Sequence, residues 1–277
     1  SIQVPHQFLR DVTARTEICL PEPGYYGVGM TFFPKNKQLY KQSKKMLNEL
    51  IEESGFELIG YREVPVDVTV PGSGALEVMP NIEQLFVSHK DNLTGIDLER
   101  KLYVLRNYAT HRINSEIPGV NHSFYFASFS SQTLIYKGQL RTDQVLPFYK
   151  DLQNPRIESA FAIVHSRFST NTFPNWRLAQ PFRYLSHNGE INTIRGNLNK
   201  MKSKEALMKS KFFNDEELAK LLPITNKMNS DSANLDAMVE LLTLSGRSLP
   251  HAMMMLVPEA WAGNPLMNEE RRAFYEY

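Results

Sequence analysis

The sequence predicts an α+β fold in a single domain over residues 1–277, and three observations support this prediction. Short apolar runs rich in β-branched and aromatic residues alternate with longer amphipathic segments, which indicates strands and helices mixed along the chain. Roughly the last third of the chain is mostly helical in its pattern. No long linker rich in Pro, Gly and Ser divides the chain, and no internal repeat is visible.

The first half of the chain contains the clearest signals for individual elements. The run YYGVGMTFFP predicts a strand, and FELIGYREVPVD and IEQLFVSH predict two more. A helix is predicted over NKQLYKQSKKMLNELIEESG, which ends at Gly55 and has these residues at helical spacing: Tyr40, Leu47, Leu50 and Ile51. A second helix is predicted over GIDLERKLYVLRNYATHRI, with an apolar face formed by Leu98, Leu102, Leu105 and Ala109.

The second half begins with strand signals and ends with helical ones. Two apolar-aromatic runs flank Ser-Ser-Gln in SFYFASFSSQTLIYKGQL, which predicts a hairpin. TDQVLPFYKDL predicts a short helix, SAFAIVHSRFS a buried strand, and FRYLSHNGEINTI a strand with a turn. SDSANLDAMVELLTLSG predicts a helix that begins with capping residues and ends at Gly246.

Composition and charge exclude several classes of function. Lys and Arg total 31 against 30 Asp and Glu, so no overall positive field favours a nucleic acid partner. No apolar run is long enough to span a membrane, and we find no signal peptide. The single cysteine excludes an internal disulfide and a thiolate metal cluster, which fits a reducing, cytoplasmic location.

Arg167 is the first candidate for a binding residue. It lies in HSRFST, at the end of the predicted buried strand. A buried arginine is costly unless it is paired, and its planar guanidinium suits a carboxylate in bidentate geometry. The partner is either an internal Asp or Glu, or the carboxylate of a ligand.

The stretch LSHNGEINT contains the second candidate pair, Asn188 and Gly189. Asn-Gly is a strong signal for a type I′ turn, and a plain hairpin is one interpretation. The other is an oxyanion hole for acyl transfer, with the Asn188 amide and the Gly189 backbone N–H aimed at one point. In that case Gly189 permits both a positive φ and the close approach of a substrate, because it has no side chain.

Asp231 is the third candidate, in NSDSANLD. Ser230 or Asp231 is expected to cap the following helix, because either side chain accepts backbone N–H bonds. More capping residues are present than one helix needs, so Asp231 is available for an ammonium group. Together, an Arg, an Asp and an oxyanion hole describe a pocket for an α-amino acid with a reactive side-chain carbonyl.

At this point the sequence resembles a known family. HSRFSTNTFPNWRLAQPFRYLSHNGEINTIRGN is similar to the core of the class II, or N-terminal nucleophile, glutamine amidotransferases, and GYYGVGMTFFP, SDSANLDAMVELL and LPHAMMMLVPEAW resemble the glutamate synthase branch. The resemblance implies a four-layer αββα sandwich. It also implies that Arg167 holds the glutamine α-carboxylate, Asp231 the α-amino group, and Asn188 and Gly189 the oxyanion.

The sequence departs from the family pattern at the nucleophile. The family uses a cysteine at the mature N-terminus, whereas this sequence begins SIQVPHQFLRD, which resembles a later segment. We therefore expect a domain truncated at its N-terminus, without the nucleophile strand and inactive alone. Cys19 matches no catalytic motif and is expected to be a partly buried structural thiol. Ser1 as nucleophile is disfavoured, because the motifs place it in the wrong segment.

The resemblance implies hydrolysis of L-glutamine to glutamate and ammonia, and transfer of the ammonia to 2-oxoglutarate elsewhere in the enzyme. No cofactor is expected in residues 1–277, whereas FMN and an iron–sulfur cluster belong to other domains. The expected partners are those synthase domains and a small reductase subunit. A non-catalytic glutamine-binding or regulatory module is the alternative. An amidotransferase of a related pathway is disfavoured by the wide match outside the motifs.

Overall fold

The computed structural model of the chain describes residues 1–166, 175–189, 191 and 194–276. The chain forms two compact units, Ser1–Ser186 and His187–Tyr277. The strands of the first unit are β1 (Ile2–Gln3), β2 (Gly27–Phe33), β3 (Phe56–Glu63), β4 (Asn81–His89), β5 (Tyr125–Ser130) and β6 (Thr133–Leu134). Its α-helices are α1 (His6–Thr13), α2 (Lys37–Glu53), α3 (Ser73–Glu77), α4 (Gly95–Glu116) and α5 (Val145–Phe148).

The strands form two antiparallel sheets, one of four strands in the order β3-β4-β2-β5 and one of two strands, β1 and β6. The predicted hairpin is therefore wrong in its pairing. The run SFYFASFSSQTL does form β5 and β6, but β6 pairs with β1 through Ile2 and Leu134. The chain thus passes from one sheet to the other at Ser131 and Gln132.

One face of the four-stranded sheet is covered by α2 and α4. Asn36 caps α2, because its Oδ1 accepts hydrogen bonds from the backbone N–H groups of Gln38 and Leu39, and Gly55 follows its end with φ +81°. The predicted apolar face of α4 is fully buried at all four positions: Leu98, Leu102, Leu105 and Ala109. These side chains pack on Phe33, Leu85, Val87 and Phe126 of the sheet. The sequence prediction is confirmed for both helices.

Gly27 and Gly29 of β2 lie beneath this helical layer. A Cβ atom added at Gly27 would stand 2.5 Å from Leu102 Cδ2, and one at Gly29 would stand 3.2 Å from Phe129 Cδ2. The two glycines therefore allow neighbouring core side chains to pack closely against the backbone of β2.

Replacing Gly27 by alanine is expected to lower the free energy of unfolding by about 1–3 kcal/mol, because the new methyl group overpacks the layer and Leu102 is fully buried. The measurement is equilibrium unfolding in urea. Gly74→Ala is the matched control, since Gly74 lies in α3 with no atom within 4 Å of an added Cβ. Equal stability of the two variants would contradict the packing argument.

The opposite face of the four-stranded sheet packs against α1 and β6. Val28, Met30 and Phe32 of β2 contact Phe8 and Leu9 of α1 in one buried cluster. Leu134, Tyr136, Tyr149 and Trp176 belong to the same cluster. The described chain is thus a mixed α and β fold with two antiparallel sheets, and the α+β class is confirmed to that extent. The four-layer sandwich stays a prediction.

A buried ion pair ties β3 to the segment after α5. Arg62 donates from Nη2 to Asp151 Oδ1 at 2.6 Å and from Nη1 to Oδ2 at 2.8 Å. The Tyr136 hydroxyl donates to the same carboxylate at 3.1 Å, and Gln84 Oε1 accepts from Arg62 Nη1 at 2.7 Å. Asp151 is only 3% exposed, and its carboxylate accepts three hydrogen bonds inside the protein.

The run SAFAIVHSRFS does not form the predicted buried strand in its described part. Residues 159–166 make one isolated bridge, between Ala162 and Ile2, and Val164 is 78% exposed. The segment lacks a strand of sufficient length beside it, because the neighbouring strand β1 has only two residues that can pair with it. Residues 182–189 also contain no strand, so the prediction for FRYLSHNG is wrong as well.

The described part of the second unit is helical. Its helices are α6 (Ile194–Glu205), α7 (Asp215–Leu221), α8 (Asp231–Leu244), α9 (Leu249–Leu256) and α10 (Glu269–Glu276). The most buried of these is α8, whose core side chains include Leu235, Met238, Val239, Leu241 and Leu244. Within the described ranges, no helix has both the length and the apolar character needed to cross a membrane.

Candidate functional site

The structure places the predicted site residues in different settings. Arg167 lies outside the described residues. Asn188 and Gly189 lie in the loop that begins the second unit, and Asp231 is the first residue of α8. Within the described part of the chain, no hydrogen bond or ion pair joins Asp231 to Asn188 or Gly189. Their roles in catalysis and binding therefore stay predictions.

The HNG loop is held by a side chain that sequence reasoning passed over. The Gly189 backbone N–H donates to His187 Nδ1 at 3.2 Å, and both Asn188 and Gly189 are exposed. Neither residue has a positive φ, so the predicted type I′ turn is wrong. Because no strands flank the loop in the described residues, the imidazole closes it instead. The signal for His187 was its place directly before the Asn-Gly pair.

Gly189 leaves one side of this loop open. The nearest atom to an added Cβ would be His187 Nδ1 at 3.8 Å, so no bulky group crowds the backbone here. Within the described residues, the acceptor for the Gly189 N–H is the His187 imidazole.

Asp231 is half-buried at the start of α8. Ser230 is the N-cap of α8, where its Oγ accepts from the Ala233 N–H at 3.2 Å. The prediction that one of these two residues caps the helix is confirmed for Ser230. The Asp231 side chain makes no hydrogen bond or ion pair with any described residue.

The loop before α8 is fixed by Asn234, which the sequence did not single out. Its Oδ1 accepts from the Asn226 N–H at 3.0 Å, and its Nδ2 donates to the Asn226 carbonyl at 3.0 Å. Asn234 is 2% exposed, so both bonds are shielded from water. This brace holds the chain that leads into Ser230 and Asp231.

The first unit contains a cavity of about 420 Å³. Its walls are mostly apolar and include Leu134, Tyr136, Leu146, Leu152, Ile163 and Phe182. Two cationic residues, Lys137 and Arg183, also line it. In the sequence, two lining residues lie within the stretches that contain the predicted site residues, since Ser166 directly precedes Arg167 and Ser186 directly precedes His187.

Lys137 is buried beside this cavity. Its Nζ donates to the Arg177 carbonyl at 2.7 Å and lies 4.5 Å from the centre of the Tyr125 ring. Burial lowers the pKa of Lys137 to about 8, with the charges of Arg183 and Arg177 acting in the same direction against the opposing effect of Tyr125. Burial by itself would raise the pKa of Tyr125, but the nearby positive charges of Arg183, Lys137 and Arg177 outweigh it and lower that pKa to about 8.

The Cys19 thiol does not have the predicted setting. The residue is exposed, not partly buried, because it lies in the irregular segment between α1 and β2. Among the residues that the structure describes, no group of three or more His, Cys, Asp and Glu side chains is arranged to hold a metal ion.

Comparison with known sequences decides the family. The sequence pattern of the class-II glutamine amidotransferases matches residues 1–277. The chain belongs to this family. Among curated proteins, the large chain of the NADPH glutamate synthase of Bacillus subtilis (strain 168) is 47% identical over 277 residues, which cover 100% of this chain and 18% of that protein.

Other glutamate synthases are similar to this chain to nearly the same degree. The ferredoxin-dependent glutamate synthase 1 of Arabidopsis thaliana is 45% identical over 254 residues, which cover 91% of this chain and 16% of that protein. The NADH glutamate synthase of Schizosaccharomyces pombe is 42% identical over 281 residues, covering 99% of this chain and 13% of that protein. The chain therefore spans less than a fifth of the length of these relatives.

Proposed function

We propose that residues 1–277 form the glutamine amidotransferase type 2 domain of a glutamate synthase, which hydrolyses L-glutamine to glutamate and ammonia. The observation that carries the proposal is the 47% identity to a glutamate synthase large chain over all 277 residues. The relatives named above are all glutamate synthases, so a non-catalytic binding module is not favoured.

In this proposal three groups recognise the substrate. The Arg167 guanidinium pairs with the α-carboxylate of glutamine, because its two N–H donors match two carboxylate oxygens. The Asp231 carboxylate, which has no described partner, pairs with the α-ammonium group. Asn188 Nδ2 and the Gly189 N–H donate to the side-chain carbonyl oxygen as it becomes an oxyanion.

The reaction needs a nucleophile that attacks the carboxamide carbon. In the family this is an N-terminal cysteine whose own α-amino group accepts its proton. Attack gives an oxyanion between Asn188 and Gly189, and the α-ammonium group of the cysteine returns its proton to the departing nitrogen, which leaves as ammonia. Water then hydrolyses the thioester to glutamate and the free thiol. Cys19 has no role in this proposal.

The remaining assignments concern the larger enzyme. The ammonia is transferred to 2-oxoglutarate in other synthase domains, where FMN and an iron–sulfur cluster supply the reductive chemistry and a small reductase subunit is a candidate partner. We assign no cofactor to residues 1–277. A cytoplasmic location stays a prediction.

Asp231→Asn in the full-length enzyme tests the recognition of the ammonium group. We expect kcat/KM for glutamine hydrolysis to fall about tenfold to hundredfold, because a charge-assisted hydrogen bond contributes roughly 1.5–3 kcal/mol. The measurement is release of glutamate from glutamine.

Asp215→Asn is a matched control for Asp231→Asn. Asp215 is also the first residue of a helix, α7, and follows a side-chain N-cap, Asn214. Both substitutions therefore remove the same favourable contact with a helix N-terminus. Glutaminase activity that is equally reduced in the two variants, or in neither, would count against the proposed role of Asp231.

A further inference from the structure

The chain that leads into α8 forms a closed turn over residues 226–229. The Asn229 backbone N–H donates to the Asn226 carbonyl at 3.0 Å, and the Met228 N–H donates to Asn226 Oδ1 at 2.8 Å. Ser230, the N-cap of α8, follows this turn directly and is fully buried. The course of the turn therefore determines where Asp231, the first residue of the helix, is placed.

Asn234 holds this turn against the beginning of α8. Its side-chain amide bonds both backbone groups of Asn226, since Oδ1 accepts from the N–H at 3.0 Å and Nδ2 donates to the carbonyl at 3.0 Å. The Asn234 backbone N–H also donates to the Ser230 carbonyl at 3.0 Å, as the first hydrogen bond of the helix. Only 2% of Asn234 is exposed, so water does not compete for these bonds.

Neither capping nor packing of the helix requires an amide at this position. The cap of α8 is complete without it, because Ser230 Oγ accepts from the Ala233 N–H at 3.2 Å. The fourth residues of α7 and α9, which correspond to Asn234, are the buried apolar residues Leu218 and Ala252. A buried amide is costly unless it is hydrogen-bonded, so at this position it contributes a defined geometry instead of apolar burial.

We propose that Asn234 is a positioning residue for recognition of the glutamine α-ammonium group and acts through Asp231. The inference rests on the proposed function, in which the Asp231 carboxylate accepts from that ammonium group. A charge-assisted hydrogen bond depends on distance and angle, so Asp231 discriminates well only if the chain before it has one fixed course. Asn234 itself does not touch glutamine in this proposal, because its amide is bonded to Asn226.

The preference for an α-ammonium group is measured with two substrates. The full-length enzyme is assayed for kcat/KM with L-glutamine and with 4-carbamoylbutyrate, which has hydrogen in place of the α-amino group. We expect the wild type to prefer glutamine by about tenfold to hundredfold, and Asp231→Asn to lose most of this preference. Asn234→Ala is expected to reduce the preference by about threefold to tenfold, because Asp231 is no longer held in place.

The analogue separates positioning from general damage to the domain. A loss of stability lowers kcat/KM for both substrates, whereas a displaced Asp231 lowers it for glutamine alone. For the same reason, adding Asn234→Ala to Asp231→Asn should change the preference no further. Asn197→Ala is the matched control, because the Asn197 amide also bonds a backbone group, the Leu256 carbonyl at 2.6 Å, but joins α6 to α9. This control should keep the wild-type preference.

An unchanged preference in an active Asn234→Ala enzyme would overturn the inference, and so would an equal loss of kcat/KM for the two substrates. If Asn234→Ala hydrolyses neither substrate, Asn226→Ala decides, because it removes only the side-chain bond to the Met228 N–H and so loosens the same turn. Its preference for glutamine should then fall, and a wild-type preference would overturn the inference. A wild-type enzyme that hydrolyses neither substrate would instead overturn the proposed function, so the two failures are distinguishable.

Discussion

Asn188→Ala in the full-length enzyme is expected to lower kcat for glutamine hydrolysis by about 10²–10³-fold, with a much smaller change in KM. The reason follows from the proposed function, in which the Asn188 amide is one of two donors to the oxyanion. Negative charge develops on that oxygen only as the reaction proceeds, so the lost bond destabilises the transition state more than bound glutamine. The measurement is steady-state release of glutamate.

Two further variants sharpen this test. Asn188→Asp keeps the shape of the side chain but replaces the donor by a negative acceptor, so its kcat is expected to fall at least as far. Asn199→Ala, on the exposed side of α6, is the control and should leave both constants unchanged. A loss in Asn188→Ala that appears only in KM would assign Asn188 to substrate binding instead of oxyanion stabilisation.

Asp151→Asn is expected to lower the free energy of unfolding by about 3–5 kcal/mol, because it leaves the Arg62 guanidinium without its charged partner in a buried site. The effect is large because Asp151 also accepts from Tyr136, so one substitution disturbs two donors. Equilibrium unfolding in urea gives the value. The double variant Arg62→Met/Asp151→Leu is expected to be less destabilised than the sum of its single variants, since no unpaired charge remains.

A surface pair of the same chemistry provides the comparison. Arg141 and Asp143 form an ion pair whose side chains are 74% and 68% exposed. Asp143→Asn is therefore expected to leave the free energy of unfolding almost unchanged, because water already solvates both charges. Similar losses in Asp143→Asn and Asp151→Asn would show that burial does not set the strength of the Arg62–Asp151 pair.

The elements that the sequence predicted correctly are those whose local pattern agrees with their tertiary setting. For α2, the apolar spacing agrees with the Asn36 cap and with Gly55 at its end. For β4, the apolar run IEQLFVSH lies at the centre of the chain's largest sheet, where neighbours on both sides satisfy its backbone. Local pattern and tertiary setting point to the same structure in each case.

The incorrect strand predictions all concern pairing, which depends on neighbouring segments that the local sequence does not identify. The apolar run at residues 159–166 has strand character, but it meets only the two-residue strand β1. Likewise β5 and β6 were both predicted as strands, and only the tertiary fold assigns them to different sheets. Pairing depends on distant segments, so the local pattern did not contain it.

The residues of the candidate site also divide into those that the local sequence predicts and those whose setting depends on the fold. Ser230 and Asp231 are readable from sequence because a helix cap is a local structure, and the family motifs identify Asn188 and Gly189. Lys137 is different, because its burial beside Tyr125 and Arg183 arises from segments brought together by the fold. The local sequence YKG contains no signal for the burial of this lysine.

The glycines of β2 have a consequence for how faithfully this sheet forms. Gly27 and Gly29 lie on the face under α4, whereas Val28 and Met30 lie on the other face, in the core with α1. A slip of β2 by one residue would exchange the two sets, placing Val28 and Met30 where even a methyl group meets Leu102. The missing side chains thus disfavour misaligned strands, because a larger side chain at the position of Gly27 would collide with Leu102 of the helical layer.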